Sequence, residues 1–460
     1  MATTEPFPPL NTANDHFSTS QDANGNAARR RRKSSGIQTE SRNDTSAPSL
    51  ATSFAHLNAA SGRRTDSKDG SGASSKRQSK RRKARSLASR ATNYAMKHTW
   101  VLPAVLLTVF LSLFALNPTE SNPIHHLIFL SYKLPTPAGA APDTPVLYGK
   151  GLWDIGFVSF YIVVLSFTRE FIMQELLRPL ARYAGLKSRG KQARFMEQMY
   201  TAIYFAFVGP WGMYVMSHTP VWYFNTTGMY EGFPHKLHEA DFKFYYLFQA
   251  AYWAQQLIVL VLGMEKPRKD YKELVCHHLV SLALIGLSYR FHFTYMGLAV
   301  YITHDISDFF LATSKSLNYI DSAWQGPYFS VFVGVWIYLR HYLNLKIIFS
   351  IFTEFRTVGP YVLDWAGGQY KCWLSQLISA TLLSALQALN LFWLFFILRI
   401  AYRFVFSGVA EDDRSEAEDS EGEDEVAKNG ESVPLVKGAA ATNGHALNGA
   451  AKVNGSREKR

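Results

Sequence analysis

Three histidines and two aspartates interrupt two neighbouring apolar stretches of this chain. They are His277, His278, His304, Asp305 and Asp308. Both stretches, Leu274–Tyr289 and Phe293–Thr313, have the composition of apolar helices, and a short polar turn joins them. Ionisable side chains inside an apolar helix are costly, so by default they mark a functional site. These five residues are therefore the candidates for catalysis.

The helical spacing predicts that the two sets of side chains meet. If the two helices are antiparallel neighbours, the start of the first lies level with the end of the second. At 1.5 Å per residue, His277 and Asp308 both lie within roughly 8 Å of that shared end. His304 and Asp308 share one helix face, which Lys315 continues toward the interface. We expect one polar cluster at one depth.

Three chemical interpretations of this cluster stay open. Imidazole and carboxylate groups suit zinc or iron, but the repeated histidine motifs of membrane di-iron oxygenases are missing from the sequence, so only a mononuclear site fits. A carboxylate that fixes the tautomer of an imidazole strengthens it as a base or nucleophile, which acyl transfer to a lipid requires. The third interpretation is a polar network between helices, or the proton relay of a transporter.

Arg340 is a further charged residue inside an apolar stretch, Tyr328–Ser350. Because a guanidinium in such a place must be paired or solvated, it is predicted to face the interior of the helix bundle. Two roles stay open for its side chain. It forms an ion pair with Asp305 or Asp308, or it contacts an anionic group of a substrate.

The loop that precedes His277, with the sequence EKPRKDYKE, is strongly basic. Its residues Arg268, Lys269 and Lys272 would place positive charge beside the polar cluster, and Lys315 is predicted to lie on the same side. Such a surface suits an anionic substrate group, for example a nucleotide phosphate. The excess of Lys and Arg in cytosolic loops of membrane proteins explains the same residues equally well.

Apolar stretches long enough to span a bilayer recur between two polar tails. They are Trp100–Leu116, Gly151–Phe167, Glu197–Met216, Phe242–Met264, Leu274–Tyr289, Phe293–Thr313, Tyr328–Ser350 and Leu374–Phe404. The tails lack apolar periodicity and have the composition of disordered segments. The sequence therefore predicts an all-α fold, a polytopic membrane helix bundle of about eight spans with disordered cytosolic tails.

The formal net charge of +12 would suggest a nucleic-acid partner in a soluble protein. Here the basic residues are concentrated in the N-terminal tail and in particular loops. Loops predicted to be cytosolic hold twelve Lys and Arg residues, against six in loops predicted to be lumenal. This distribution predicts cytosolic termini at both ends and no nucleic-acid partner.

Sequence motifs also predict covalent modifications. The sequon that begins at Asn225 falls in a loop predicted to be lumenal, where N-glycosylation is expected. Ser415 and Ser420 precede acidic residues in the C-terminal tail and are expected phosphorylation sites. Cys276 and Cys372 are predicted to lie at opposite sides of the membrane, so they should not form a disulfide.

The run from His277 to Lys315, in which HH is followed by HDxSDxFLxxxK, resembles the Lag motif of ceramide synthases, within the TLC membrane domain. The segment RKDYKELVCHH and the segment RFMEQMY at Arg194–Tyr200 also resemble that family. Ser281 stands where the family commonly has Thr, so a hydroxyl is kept. The long tails and the domain layout are similar to those of fungal members.

The resemblance implies an acyl-CoA-dependent sphingosine N-acyltransferase of the endoplasmic reticulum, which makes ceramide or dihydroceramide without a cofactor. It implies self-association or a small single-span accessory subunit as partners, and it assigns the choice of acyl length to the loop Phe352–Lys371. The active-site residues that it implies are His277, His278, Asp305 and Asp308, with His304 directly before the first aspartate. The alternative is a membrane transporter or lipid-sensing scaffold with a buried His/Asp network.

The predicted domain organisation has four parts. Residues 1–97 form a disordered basic cytosolic tail, and residues 98–190 form two N-terminal spans with an interfacial loop. Residues 191–407 form the TLC catalytic membrane domain. Residues 408–460 form a second disordered cytosolic tail, acidic at first and then of low complexity.

Overall fold

Long helices make up most of the computed structural model, which describes residues 89–407 apart from 91, 96, 137, 138, 140, 142, 143, 266 and 267. The long helices, in chain order, are α1 Val101–Leu116, α2 Trp153–Phe171, α3 Arg189–Ser217, α4 Ala240–Val261, α5 Tyr271–Arg290, α6 Thr294–Tyr319, α7 Gln325–Trp336, α8 Asn344–Thr353 and α9 Trp373–Ser407. All eight predicted apolar stretches are helical, since α7 and α8 belong to one continuous helical segment. The predicted all-α class is confirmed.

The predicted number of spans is not decided by helix length and composition. Within the described residues, two helical segments are long and apolar enough to cross a membrane, Trp153–Tyr183 and Trp373–Phe406. Helix α1 is apolar but shorter, with 16 residues. A bundle of about eight spans therefore stays a prediction, while the helical architecture is observed.

Two segments of π-helix interrupt the α-helices of the bundle. One, Ile172–Leu177, continues α2 into a short helix, Arg178–Tyr183. Pro179 occupies the first turn of that short helix, where its missing N–H is tolerated. The helix ends before Gly185, whose φ of +83° suits glycine.

The second π segment, Ile337–Leu343, joins α7 to α8 and directs consecutive polar side chains into the core. Arg340 and His341 are both buried, with exposed fractions of 2% and 7%. A π turn inserts an extra residue into a helix and is frequent at functional sites. The prediction that Arg340 faces the interior of the bundle is confirmed.

Helices α3 and α6 pack closely because α3 carries glycines at the contact. A Cβ atom at Gly212 would lie 3.1 Å from Cγ1 of Ile302 and would overlap the Tyr245 hydroxyl. A Cβ atom at Gly209 would lie at an ordinary 3.6 Å from Cγ1 of Ile306. The absence of a side chain at Gly212 therefore allows the Tyr245 hydroxyl of α4 to reach α6.

Two short strand pairs and a buried lysine lie at the end of the bundle at the α5–α6 turn, called the far end below. Strand β1, Leu147–Tyr148, pairs with β2, His238–Glu239, and β3, Leu363–Asp364, pairs with β4, Gln369–Tyr370. Lys243 is fully buried there and lies 2.7 Å from Asp154. Two backbone carbonyls accept its remaining hydrogen bonds, so the charge is paired and satisfied.

Candidate active site

An apolar cavity runs through the bundle from the histidines to the far end. Its walls come from α4, α5, α6, α9 and the β3–β4 hairpin, and it encloses about 1180 Å³ of space, partly open to the outside. His277 and His304 line one end, and Trp365 and Tyr370 line the other. A cavity of this shape can hold an aliphatic chain with one end against the imidazoles.

The structure brings the three predicted histidines together. The ring centroids of His277 and His304 are 6.3 Å apart, and those of His277 and His278 are 5.7 Å apart. All three residues are buried. Trp393 of α9 packs edge-on against His277, with 5.2 Å between the ring centroids. The start of α5 thus meets α6 near the middle of that helix, since His304 is the eleventh of its 26 residues.

Hydrogen bonds distinguish the three imidazoles. Nδ1 of His304 lies 2.8 Å from the carbonyl oxygen of Val300, to which it donates, and Nε2 lies 3.4 Å from the amide nitrogen of Asn390. Nδ1 of His278 donates to the carbonyl oxygen of Leu274 at 2.8 Å. Nδ1 of His277 is buried and has no hydrogen-bond partner among the described residues. His277 is therefore the least constrained imidazole of the three.

The two carboxylates hydrogen-bond to other helices and not to the imidazoles. Asp305 is fully buried and accepts from the Tyr245 hydroxyl at 3.0 Å and from the Gln249 amide. Asp308 accepts from Nη2 of Arg340 at 2.5 Å. The expectation that these carboxylates orient the histidines directly is not what the described residues show, because each carboxylate is held by a residue of a different helix.

Arg340 connects Asp308 to the histidine cluster. Its Nε donates to the Ser307 hydroxyl at 2.6 Å, and its Nη1 donates to Oδ1 of Asn390 at 3.1 Å. Asn390 in turn faces Nε2 of His304. The guanidinium also stacks on Trp336, 4.3 Å from the ring centroid. Of the two roles left open for Arg340, the ion pair is the one observed.

Sequence reasoning missed several polar residues of this network. They are Tyr245, Gln249, Ser307 and Asn390. A signal for two of them was present, because Tyr245 and Gln249 are four residues apart and so share one face of an apolar helix. Asn390 gave a weaker signal as a lone amide in a long apolar run.

The basic loop before α5 contains a half-buried arginine and two exposed lysines among its described residues. Burial by itself would lower the pKa of the Arg268 guanidinium, but Glu265, Glu197 and Asp270 outweigh that effect and raise it. Burial alone would raise the pKa of Glu265, but neighbouring arginines hold it below its usual value. Lys269 and Lys272 are exposed, and Lys315 on α6 is half-buried. An anionic ligand can reach the two exposed lysines.

The other predicted sites divide into described and undescribed ones. Asn225 is exposed, and the hydroxyl of Thr227, which completes its sequon, donates to Glu354 at 3.0 Å. Cys276 and Cys372 are both free, as predicted. Ser415 and Ser420 lie outside the described residues.

Within residues 89–407 as described, no group of three or more His, Cys, Asp or Glu residues is arranged to hold a metal ion.

Residues 194–399, which contain the histidines that line the cavity, match the TLC domain. The chain is 54% identical over 327 residues to a sphingosine N-acyltransferase-like protein of Gibberella moniliformis, covering 71% of this chain and 84% of the relative. It is 48% identical over 350 residues to a sphingosine N-acyltransferase of Schizosaccharomyces pombe, covering 75% and 89%.

A ceramide synthase of Saccharomyces cerevisiae is also 48% identical over 345 residues, which cover 75% of this chain and 80% of the relative. The chain therefore belongs to the sphingosine N-acyltransferase, or ceramide synthase, family. The resemblance predicted from the Lag motif is confirmed, and these three relatives are fungal proteins, in agreement with the predicted layout.

Proposed function

We propose that this chain transfers the acyl group of a fatty acyl-CoA to the amine of a sphingoid base in the endoplasmic reticulum membrane, giving a ceramide and free CoA. Relatives with 48–54% identity carry the names sphingosine N-acyltransferase and ceramide synthase. The observation that carries the chemistry is the imidazole of His277 at one end of an apolar cavity, where its Nδ1 has no hydrogen-bond partner among the described residues.

The acyl chain occupies the cavity, with its carbonyl carbon at the histidine end. Phe293 lies eleven positions before His304, which corresponds to roughly 16 Å along a helix. The cavity continues from there to the β3–β4 hairpin. That hairpin lies in the segment Phe352–Lys371, to which the family resemblance assigns the choice of acyl length. Leu363, Trp365 and Tyr370 then limit the chain that fits. Replacing this segment with that of a relative of different product length should change the product spectrum.

His277 is the reactive imidazole. In the direct route it takes the proton from the amine as the new C–N bond forms and the thioester C–S bond breaks, and the proton passes to the CoA thiolate. In the covalent route it first accepts the acyl group and releases CoA, and the amine then displaces the imidazole. Both ring nitrogens of His304 make hydrogen bonds, and so do the carboxylates of Asp305 and Asp308. These hydrogen bonds support positioning roles for the three residues.

The phosphates of CoA bind at the basic loop before α5. Lys269 and Lys272 are exposed there, close in sequence to His277, so the nucleotide would lie outside the cavity while the acyl chain enters it. This arrangement requires the loop to be cytosolic, with both termini on the same side and Asn225 in the lumen. A second copy of the chain or a small single-span subunit completes the assembly.

Release of free CoA tests the proposal directly. The purified full-length protein, given a fatty acyl-CoA and a sphingoid base, should release CoA and form the N-acyl product. A transporter or a lipid-sensing scaffold would bind these compounds and release no CoA. Absence of CoA release under conditions where the protein is folded would exclude the acyltransferase.

The variant His277→Ala should remain folded and lose activity. An imidazole that acts as a base in the transition state contributes about 10²–10⁴-fold to the rate, and its nucleophilic role would raise that loss. Because Nδ1 of His277 has no partner among the described residues, the melting temperature should change little. His341→Asn is the control, since His341 is buried and bonded to Gln387 but does not line the cavity. Retained activity in His277→Ala would refute the assignment.

A further inference from the structure

Tyr301 carries a buried hydroxyl without a partner in the wall of the cavity. The residue lines the cavity, is 5% exposed, and its hydroxyl oxygen makes no hydrogen bond within the described residues. Neighbouring tyrosines differ in this respect. The Tyr245 hydroxyl donates to Asp305 at 3.0 Å, and the Tyr246 hydroxyl pairs with Ser288. Leaving a buried hydroxyl unpaired costs free energy, so a partner from the cavity is expected.

The position of Tyr301 is fixed by its neighbours. Its ring packs edge-on against Tyr246 and Tyr245, with centroid distances of 5.1 and 6.3 Å. It lies three residues before His304 on α6, so the two side chains share a helix face, and both line the cavity. The phenol therefore lines the same wall of the cavity as His304, about one helical turn from the place where an acyl carbonyl would meet the imidazoles.

Acyl transfer needs a hydrogen-bond donor at that place. When the amine nitrogen, or first the imidazole of His277, attacks the carbonyl carbon, the C=O electron pair moves onto oxygen. The oxyanion returns that pair as the C–S or C–imidazole bond breaks and the carbonyl reforms. In an apolar cavity the developing charge is costly unless a preorganised donor faces it.

We propose that the Tyr301 hydroxyl donates a hydrogen bond to the oxyanion formed on the acyl carbonyl. This inference rests on the proposed acyl transfer and adds to it a catalytic residue outside the histidine and aspartate motif. The phenol gives up no proton and forms no covalent bond in the cycle. Its contribution is made only in the transition state, because a neutral carbonyl attracts the donor far less.

The matched pair Tyr301→Phe and Tyr230→Phe tests this role. Both tyrosines are buried, but Tyr230 does not line the cavity and its hydroxyl pairs with that of Ser350 at 2.8 Å. Tyr301→Phe should lower kcat by about 10²–10³-fold, the loss typical of one oxyanion donor, with KM for acyl-CoA unchanged. Its melting temperature should stay equal or rise, because the change removes an unpaired polar group. Tyr230→Phe should show the reverse, a lower melting temperature with kcat within about threefold of wild type.

Two results would overturn the inference while the proposed function stands. One is a kcat of Tyr301→Phe within threefold of the kcat of an active wild-type enzyme. The other is a loss of kcat in Tyr301→Phe that occurs with sphingoid bases carrying a hydroxyl beside the amine and does not occur with a base lacking it. The phenol would then bind that hydroxyl and not the oxyanion. A wild type that releases no CoA would instead overturn the proposed function, and this inference with it.

A fluorinated tyrosine at position 301 keeps the inference testable if Tyr301→Phe does not fold. Difluorotyrosine has nearly the shape of tyrosine and is a stronger donor. With this residue the enzyme should keep kcat within about threefold at neutral pH and lose activity at a lower alkaline pH than wild type, where the more acidic phenol deprotonates. An alkaline limb identical to that of wild type would contradict the donor role.

Discussion

The ionisable residues of the site have different roles because their hydrogen-bond and ion-pair partners differ. His304 uses both ring nitrogens in hydrogen bonds, whereas His277 faces the cavity with Nδ1 unpartnered. Asp308 and Arg340 form a largely buried pair, with exposed side-chain fractions of 17% and 2%. Together with Asn390 of α9, the pair connects three helical segments, so its loss changes the fold as well as the reaction.

Replacing Asp308 should therefore destabilise the protein strongly. Asp308→Ala leaves the Arg340 guanidinium buried without its anion, and breaking a buried pair costs about 3–5 kcal/mol. Thermal unfolding in detergent measures the loss. The double variant Asp308→Leu with Arg340→Met removes both charges and should recover most of the stability. If Asp308→Ala unfolds at the wild-type temperature and is inactive, Asp308 acts in the chemistry itself.

At the scale of helices, close approach decides which residues can meet. Gly212 on α3 lets the Tyr245 hydroxyl pass between α3 and α6 to reach Asp305. The π segment Ile337–Leu343 turns Arg340 toward Asn390 on α9. These two local features connect α4, α6 and α9 through side chains that are distant in the sequence.

A methyl group at Gly212 should break the first of these connections. Gly212→Ala would displace Tyr245, whose Cζ lies 2.9 Å from the new Cβ, and such overpacking costs about 1–3 kcal/mol. We expect lower stability and lower CoA release, because Asp305 loses one of its two donors, the Tyr245 hydroxyl. Gly209→Ala is the matched control, since its Cβ has room and alanine is favoured over glycine in a helix by about 1 kcal/mol. Equal effects of the two substitutions would contradict this account.

Across the whole molecule, the far end is basic and rich in buried histidine. Lys150 donates to the carbonyl oxygens of His235 and Tyr289, at 2.8 and 3.2 Å. Burial and then Lys243 lower the pKa of Lys150 to about 7, against the effect of Asp154. Burial, with Lys150 as a further cause, lowers the pKa of His235 to about 4 and of His292 to about 3. These imidazoles are therefore neutral in the folded protein.

The stability of the protein should fall as the pH drops below about 6.5. Between pH 6.5 and about 4 the unfolded chain binds a proton at His235 that the folded chain does not, so stability rises with pH in this window and is greatest above it. His235→Gln should remove about 1.4 kcal/mol per pH unit of this dependence. Melting temperatures at several pH values measure the slope. Equal slopes for the variant and wild type would disprove the role of His235.

The sequence by itself determined the helices, the cluster of ionisable residues and the family. Apolar runs define helix positions because periodicity and length are local properties. Histidine and aspartate in such runs are costly anywhere in an apolar core, so their importance was visible without a structure. The inward position of Arg340 followed from the same cost.

Only the tertiary structure decided which imidazole is unpartnered, that Tyr245 and Arg340 hold the carboxylates, and that Tyr301 faces the cavity. These pairings depend on how far each helix is rotated and how closely it approaches its neighbours. The glycine at position 212 and the extra residue of a π turn change both quantities, and the pattern of apolar residues shows neither effect. Hydrogen bonds between distant helices follow from that packing, and no local pattern encodes them.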